Sequence, residues 1–175
     1  MDWLLAALSS EDPNKTVAVA SLLTAVAAIV TAAATFAAIA AARRTYLANL
    51  FVSFSDRYNT GEMRTALSDL ARWYKAHPKD FALLWKQHLD RADENAVRLD
   101  AARRVVTGYF AEIGRLYHSG LISRLFASEL SARWGVNVFS VVCDPMNRVA
   151  FPAATPDYSR SLLSVRRSYG DGSIF

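Results

Sequence analysis

Cysteine is all but missing from this chain: Cys143 stands alone among 175 residues, so no intramolecular disulfide can form, which suits a reducing compartment. Histidine is nearly as scarce. His77, His88 and His118 are the full set, and with one cysteine they offer neither an H-E-x-x-H pair nor any paired-ligand spacing, the usual signatures of a zinc site. Seven glycines and five prolines leave long stretches without a breaker. There is no phosphate-cradling glycine loop and no G-x-S-x-G elbow, and no solenoid repeat or low-complexity linker. The expectation is a protein with no catalytic residue, no metal and no cofactor.

Charge is the most informative absence. From Thr16 to Ala42 the chain runs 27 residues without one, built from 13 alanines, a few Ser and Thr, and nine large apolar residues. At about 1.5 Å per residue such a helix is about 40 Å long, more than the roughly 30 Å hydrocarbon core of a bilayer requires. This predicts a membrane-spanning helix. The alternatives are an alanine-rich core helix, which rarely stays uncharged beyond about 14 residues, and a signal sequence. A signal sequence wants a positive N-terminal region, whereas Asp2, Glu11 and Asp12 outnumber Lys15.

The flanks give direction. Residues 1–15 carry one Lys against three acids, a net of −2, while residues 43–175 carry 19 basic and 13 acidic groups, a net of +6. With Arg43 and Arg44 directly after the run, the positive-inside rule places the C-terminal part in the cytoplasm and the first 15 residues outside. A bacterial inner membrane is the expected location. Trp3 in the N-terminal segment, and Arg43, Arg44 and Tyr46 at the other end, are the expected interface anchors. The segment around Trp3 reads equally as an interfacial helix or a tail, and Asp12 before Pro13 reads as an N-cap.

The fold class read from the pattern is all-α: one transmembrane helix (16–42), a helical stalk (43–58), a cytoplasmic helical domain (59–167) and a tail (168–175). In the stalk, Tyr46, Leu47, Leu50, Phe51, Phe54 and Tyr58 recur at helical spacing. Asn59 and Glu62 form an N-x-x-E capping box for a helix bearing Met63, Ala66, Leu67, Leu70, Trp73 and Tyr74, ended by His77-Pro78. Asp80 is expected to cap a shorter helix with Phe81, Leu84, Trp85, His88 and Leu89. The central helix, about Glu94 to Ser119, places Val97, Ala101, Val105, Tyr109, Ile113, Leu116 and Tyr117 on one face, with Arg98, Arg103, Arg104 and Arg115 mostly elsewhere. Gly120 reads as its left-handed cap, with Leu121 or Ile122 folding back, and Ser123 as the next N-cap. The segment from Arg124 towards Cys143 is expected to break near Gly135 and stop at Asp144-Pro145. Val136 to Val142 is ambiguous between strand and helix, and a last short helix is expected near Asp157 to Arg167.

Taken together, the apolar span ending in Arg43-Arg44, the aromatic-rich stalk, and Tyr109-Phe110 through Gly120-Leu121-Ile122 followed by Trp134 resemble a bacterial family of uncharacterised single-pass, membrane-anchored helical proteins. The resemblance covers much of residues 30–145 and carries no catalytic residue with it.

The polar residues of the C-terminal part suggest structure rather than chemistry. His88 and His118 could meet in space, though each sits at a helix end or amphipathic face. Cys143 ends an apolar run and reads as a small buried hydrophobe. Glu112 and Arg115 have the spacing of a helix-surface ion pair. Sixteen of the 20 cations are arginines, but they are dispersed among acids with no nucleic-acid motif, so the partner called for is anionic lipid and not nucleic acid.

Within the apolar run, Ser21, Thr24, Ala28, Thr31, Thr35, Ala38 and Ala42 alternate spacings of three and four, forming a small, weakly polar seam. Small faces let helix backbones approach closely in lipid, where hydrophobic drive between helices is weak. The expected partners are therefore membrane lipids and other transmembrane helices, of this protein or another. The function that follows is an accessory or assembly subunit of a larger membrane complex, or alternatively a self-associating, toxin-like membrane effector.

Overall fold

Alanine is the best helix former, and nothing between Pro13 and Tyr58 interrupts it. In the computed structural model, which describes residues 13–152, this stretch is one helix, α1 (Pro13–Tyr58), of 46 residues. Pro13 opens it, where a missing N–H costs nothing. The expected cap at Asp12, the segment around Trp3 and the helix near Asp157 to Arg167 lie outside the described residues. The stalk is therefore continuous with the apolar run, as its unbroken periodicity predicts. All the described residues form an all-α fold, with no strand among them.

Two compact units divide the chain between Asn49 and Leu50. In the first, every residue from Ser21 to Ala42 is exposed. By length and composition α1 is able to cross a membrane.

The second unit begins with the last turns of α1 and continues as α2 (Gly61–Ala76), α3 (Phe81–Asp90), α4 (Glu94–His118), α5 (Arg124–Leu130), α6 (Arg133–Val138), a π-helical turn (Phe139–Cys143) and α7 (Asp144–Ala150). Helix α2 lies along α4, and α3 along α7. Leu67 and Leu70 of α2, Trp85 of α3, Val106, Phe110 and Ile113 of α4, Phe139 and Met146 fill the space between them, each at most 1% exposed. The last turns of α1 join this core through Phe54, whose ring meets Tyr109 edge-on at 5.5 Å, and Tyr58, 5.7 Å from the same ring.

Several local expectations hold. Gly120 adopts φ +74°, and the Leu121 N–H donates to the Leu116 carbonyl at 3.1 Å, closing α4. It is Ile122 that folds back, 3% exposed, while Leu121 stays outside. The Ser123 hydroxyl accepts the Phe126 N–H at 3.2 Å, capping α5.

Others are corrected. The N-cap of α2 is Thr60 and not Asn59: the Thr60 hydroxyl accepts the Met63 N–H at 3.2 Å. Asn59 instead donates to the Ser55 carbonyl at 2.9 Å, tying off the end of α1. Asp80 occupies the cap position of α3 without a side-chain hydrogen bond, whereas Asp93 caps α4 through the Ala96 N–H at 3.1 Å. The buried face of α4 runs through Leu99, Ala102, Val106, Phe110 and Ile113; Val97 is half exposed. Shifting that face by one to two residues carries Arg103 inside.

The break expected near Gly135 is present, and it falls at Ala132, which takes φ +35°, while Gly135 itself sits inside α6. Its missing side chain leaves room for Tyr58, whose hydroxyl would lie 2.8 Å from an added Cβ, and for Phe110 at 2.9 Å. Nor does Asp144-Pro145 stop the chain. The Asp144 N–H reaches back to the Phe139 carbonyl, a wide π turn that relieves the crowding a proline imposes on the preceding turn. The Val136 to Val142 run is helical throughout.

Gly135→Ala is expected to destabilise the protein by about 1–3 kcal/mol through overpacking against Tyr58 and Phe110. Gly108, within α4, has no atom within 4 Å of an added Cβ, so Gly108→Ala is expected to stabilise by about 0.5–1 kcal/mol. Denaturant unfolding of the two variants in detergent tests the pair, and equal effects would contradict it.

Candidate functional site

In the first unit the sequence places Ser21, Thr24, Ala28, Thr31, Thr35 and Ala38 on one stripe, about 100° wide at helical periodicity. All six are exposed. Val17, Ala20, Ser21, Thr24, Ala25 and Ala28 line a shallow groove along the first turns. Leu22, Val26, Ile29 and Phe36 project elsewhere and are 50–74% exposed. The seam is thus a surface of the isolated helix, with no cover from the chain itself among the described residues of its own unit.

Its hydroxyls have a specific arrangement. Thr24 donates to the Ala20 carbonyl, Thr31 to Ala27 and Thr35 to Thr31, each at 2.8 Å. In hydrocarbon an unpaired hydroxyl is costly, and this back-bonding satisfies each donor within the helix. What the threonines offer a neighbour is then a small side chain and the oxygen's remaining accepting capacity, so close packing outweighs donated hydrogen bonds as the drive for association. Arg43 and Arg44 are exposed after the run, and Tyr46 is 49% exposed, as interface anchors require. Trp3 lies outside the described residues.

In the second unit the polar chemistry is concentrated in two places. Arg103 is 4% exposed, and its Nε and Nη2 donate to one Asp100 carboxylate oxygen at 3.0 and 2.8 Å, while Nη1 donates to the Asn147 side chain. The guanidinium also lies over the rings of Trp85 at 5.4 Å and Phe151 at 5.7 Å. Arg104 takes the other Asp100 oxygen at 2.8 Å. Asp100 therefore holds two arginines, and its partner on the buried side fastens α4 to α7, the case in which a buried ion is tolerable because its donors are met. The clue lay in the D-x-x-R-R spacing, three and four residues apart on one helix face. Apolar periodicity alone places Arg103 off the buried face of the helix, and misses this pairing.

The second place is the end of α1. Arg57 donates to Glu112 at 2.6 Å, which replaces the expected pairing of Glu112 with Arg115. An interhelical partner won because Arg57 is also held over the Phe54 and Tyr109 rings, at 5.4 and 5.8 Å. Tyr109 is 1% exposed, and its hydroxyl donates to the Leu130 carbonyl at 2.8 Å. Burial, reinforced by the charges of Tyr58 and Glu112, pushes its phenol far above its ordinary value; burial likewise raises Tyr58 against a backbone hydrogen bond from Gly135.

The one cysteine is not activated by its surroundings. Cys143 is fully buried, which pushes its thiol up to about 12, so the thiolate that reactivity needs is not formed. His77 lies against Trp73 with ring centroids 4.3 Å apart and planes tilted by 52°, and His88 meets the same ring edge-on at 6.2 Å and lies 3.7 Å from Asp93. Asp93 caps the start of α4 and His118 ends it, about 37 Å along the helix, so His88 and His118 are not brought together. No group of three or more His, Cys, Asp or Glu among the described residues is placed to hold a metal ion. No family model matches the chain, and comparison with curated proteins and with solved structures finds no match either.

Tyr109 and Tyr58 bury neutral phenols, so their contribution to stability is complete below the ordinary value of 10 and is lost as pH rises towards the raised folded values. Tyr109→Phe is expected to cost about 1–2 kcal/mol at neutral pH by orphaning the Leu130 carbonyl. It is also expected to flatten the decline in stability between pH 9 and 11, with Tyr58 leaving a residual slope. Denaturation across that range measures both; an unchanged alkaline slope would contradict the assignment.

Proposed function

We propose that this protein is a single-pass membrane-anchored interaction protein, an accessory or assembly subunit of a larger bacterial membrane complex. The observation that carries the reading is the bare apolar stretch of α1, on which Leu22, Val26, Ile29 and Phe36 lie off the small seam. Lipid is the natural solvent for the first, and a neighbouring helix for the second. The Arg43-Arg44 pair and the net +6 of residues 43–175 support an orientation with the C-terminal unit in the cytoplasm of a bacterial inner membrane, the N-terminus outside. Membership of the family of anchored helical proteins resembled by the sequence is part of the same proposal.

Binding would proceed by packing of the Ser21 to Ala38 seam against a partner helix, while Arg43, Arg44 and Tyr46 fix the depth at which the seams meet. Because the threonine donors are satisfied within α1, the helix can be inserted alone and associate afterwards. The second unit adds polar docking surface. It acts as a binding module.

The test is purification of the full chain from its native membrane in mild detergent. Defined partners are expected to accompany it, and Ala28→Leu or Thr31→Leu, which crowd the seam, are expected to lower their recovery by about tenfold, equivalent to roughly 1.4 kcal/mol. Leu22→Ala, off the seam, is expected to change little. A lone monodisperse monomer, or equal effects on both faces, would refute the proposal.

A further inference from the structure

The cations of α2 are segregated from its acids. Arg64, Arg72 and Lys75, with Ser68 among them, fall within about 80° of arc at helical periodicity, and all four are exposed. The two acids of the helix, Glu62 and Asp69, turn instead towards α4, where they line a groove with Arg98. Arg72 keeps a long contact to Asp69 at 3.7 Å, but its side chain is 76% exposed, and an ion pair so open to water holds it weakly. From Arg64 to Lys75 the helix thus presents charge of one sign along about 16 Å.

A charged stripe by itself is ordinary solvated surface. This one has an indole beside it. Trp134 is 42% exposed, and with Ser68, Ala71, Arg72 and Lys75 it walls a cleft of about 310 Å³. The fold fixes that ring in place: Trp134 belongs to α6, whose next residues Gly135 and Val136 are buried, with Tyr58 and Phe110 closing on Gly135. No carboxylate is among the residues that line the cleft. A rigidly held, half-exposed Trp beside an Arg is the pairing on which binding energy concentrates at protein interfaces.

Charge and shape together select the occupant. Cations along one line attract carboxylates along one line, and about five residues of extended chain cover the 16 Å of the stripe. The indole wall and Ala71 suit one apolar or aromatic side chain. A nucleic-acid strand calls instead for several rings to stack successive bases, and Trp134 is the one ring lining this cleft. We propose that this face of the second unit binds an extended acidic segment of a partner protein, its carboxylates on Arg64, Arg72 and Lys75 and one apolar side chain against Trp134. It rests on the reading of the second unit as a binding module and is independent of the seam on α1.

The experiment titrates the full chain, in neutral detergent, into the fluorescently labelled peptide Glu-Glu-Phe-Glu-Glu and reads binding by anisotropy. Saturable binding is expected. Arg72→Glu is expected to weaken it at least about tenfold and Trp134→Ala about fivefold, with a similar loss when the peptide's Phe is replaced by Ala. Arg115→Glu, an equal change of charge at an exposed site near the end of α4, is expected to change it less than about twofold. Ala28→Leu, on the seam, is expected to leave peptide binding unchanged, so this contact and the seam fail separately. Absence of saturable binding, equal losses from Arg72→Glu and Arg115→Glu, or displacement of the peptide by an equimolar oligothymidylate of equal charge overturns the proposal.

Discussion

A helix satisfies its backbone from within but can do nothing for its side chains, and α1 makes that division visible. Eight large apolar residues between Val17 and Ile39 stand exposed, and each is worth about 1.5–3 kcal/mol when removed from water. Their sum, at least about 12 kcal/mol, rivals the entire net stability of a folded domain, about 5–15 kcal/mol. A chain left with that surface in water would associate through it. The composition of the run, rather than any motif, therefore makes α1 able to cross a membrane, and the proposal that lipid and other helices cover it makes the other features of the molecule conditions on how.

Two of those conditions are electrostatic and local. Threonine donors folded back onto carbonyls one turn earlier keep the apolar stretch free of unpaired groups at those positions, so the polar seam costs little in lipid. At the other end of α1, Arg57 and Tyr58 convert a surface helix into part of a core. Glu112, the Phe54 and Tyr109 rings and the gap left by Gly135 receive them, and the second unit closes around Phe54 as it would around any buried aromatic.

The helices were legible in the sequence wherever one periodicity or one terminating residue decided them. The apolar run, the unbroken stalk, Gly120 and Ser123 depended only on neighbours along the chain. What was not legible depended on atoms brought from elsewhere. Thr60 rather than Asn59 caps α2 because Asn59 still had a carbonyl of α1 to bind. Arg103 goes inside because Asp100, Asn147 and two aromatic rings surround it together, and only the first is a near neighbour in sequence. Pro145 fails to end a helix because a π turn precedes it, a distortion that residue propensities do not encode. For the candidate site, position was readable and chemistry was not: the seam could be drawn from spacing, whereas the back-bonded state of its threonines needed rotamers.

Amide hydrogen exchange on the full chain in lipid nanodiscs tests most directly whether α1 is a lipid-covered helix that runs unbroken into the folded unit. Slow exchange is predicted continuously from about residue 20 to Phe54, with the slowest amides between Ser21 and Ala42, where water is excluded. Fast exchange across Ser21 to Ala42, or a fast-exchanging break between Arg43 and Phe54, would contradict it.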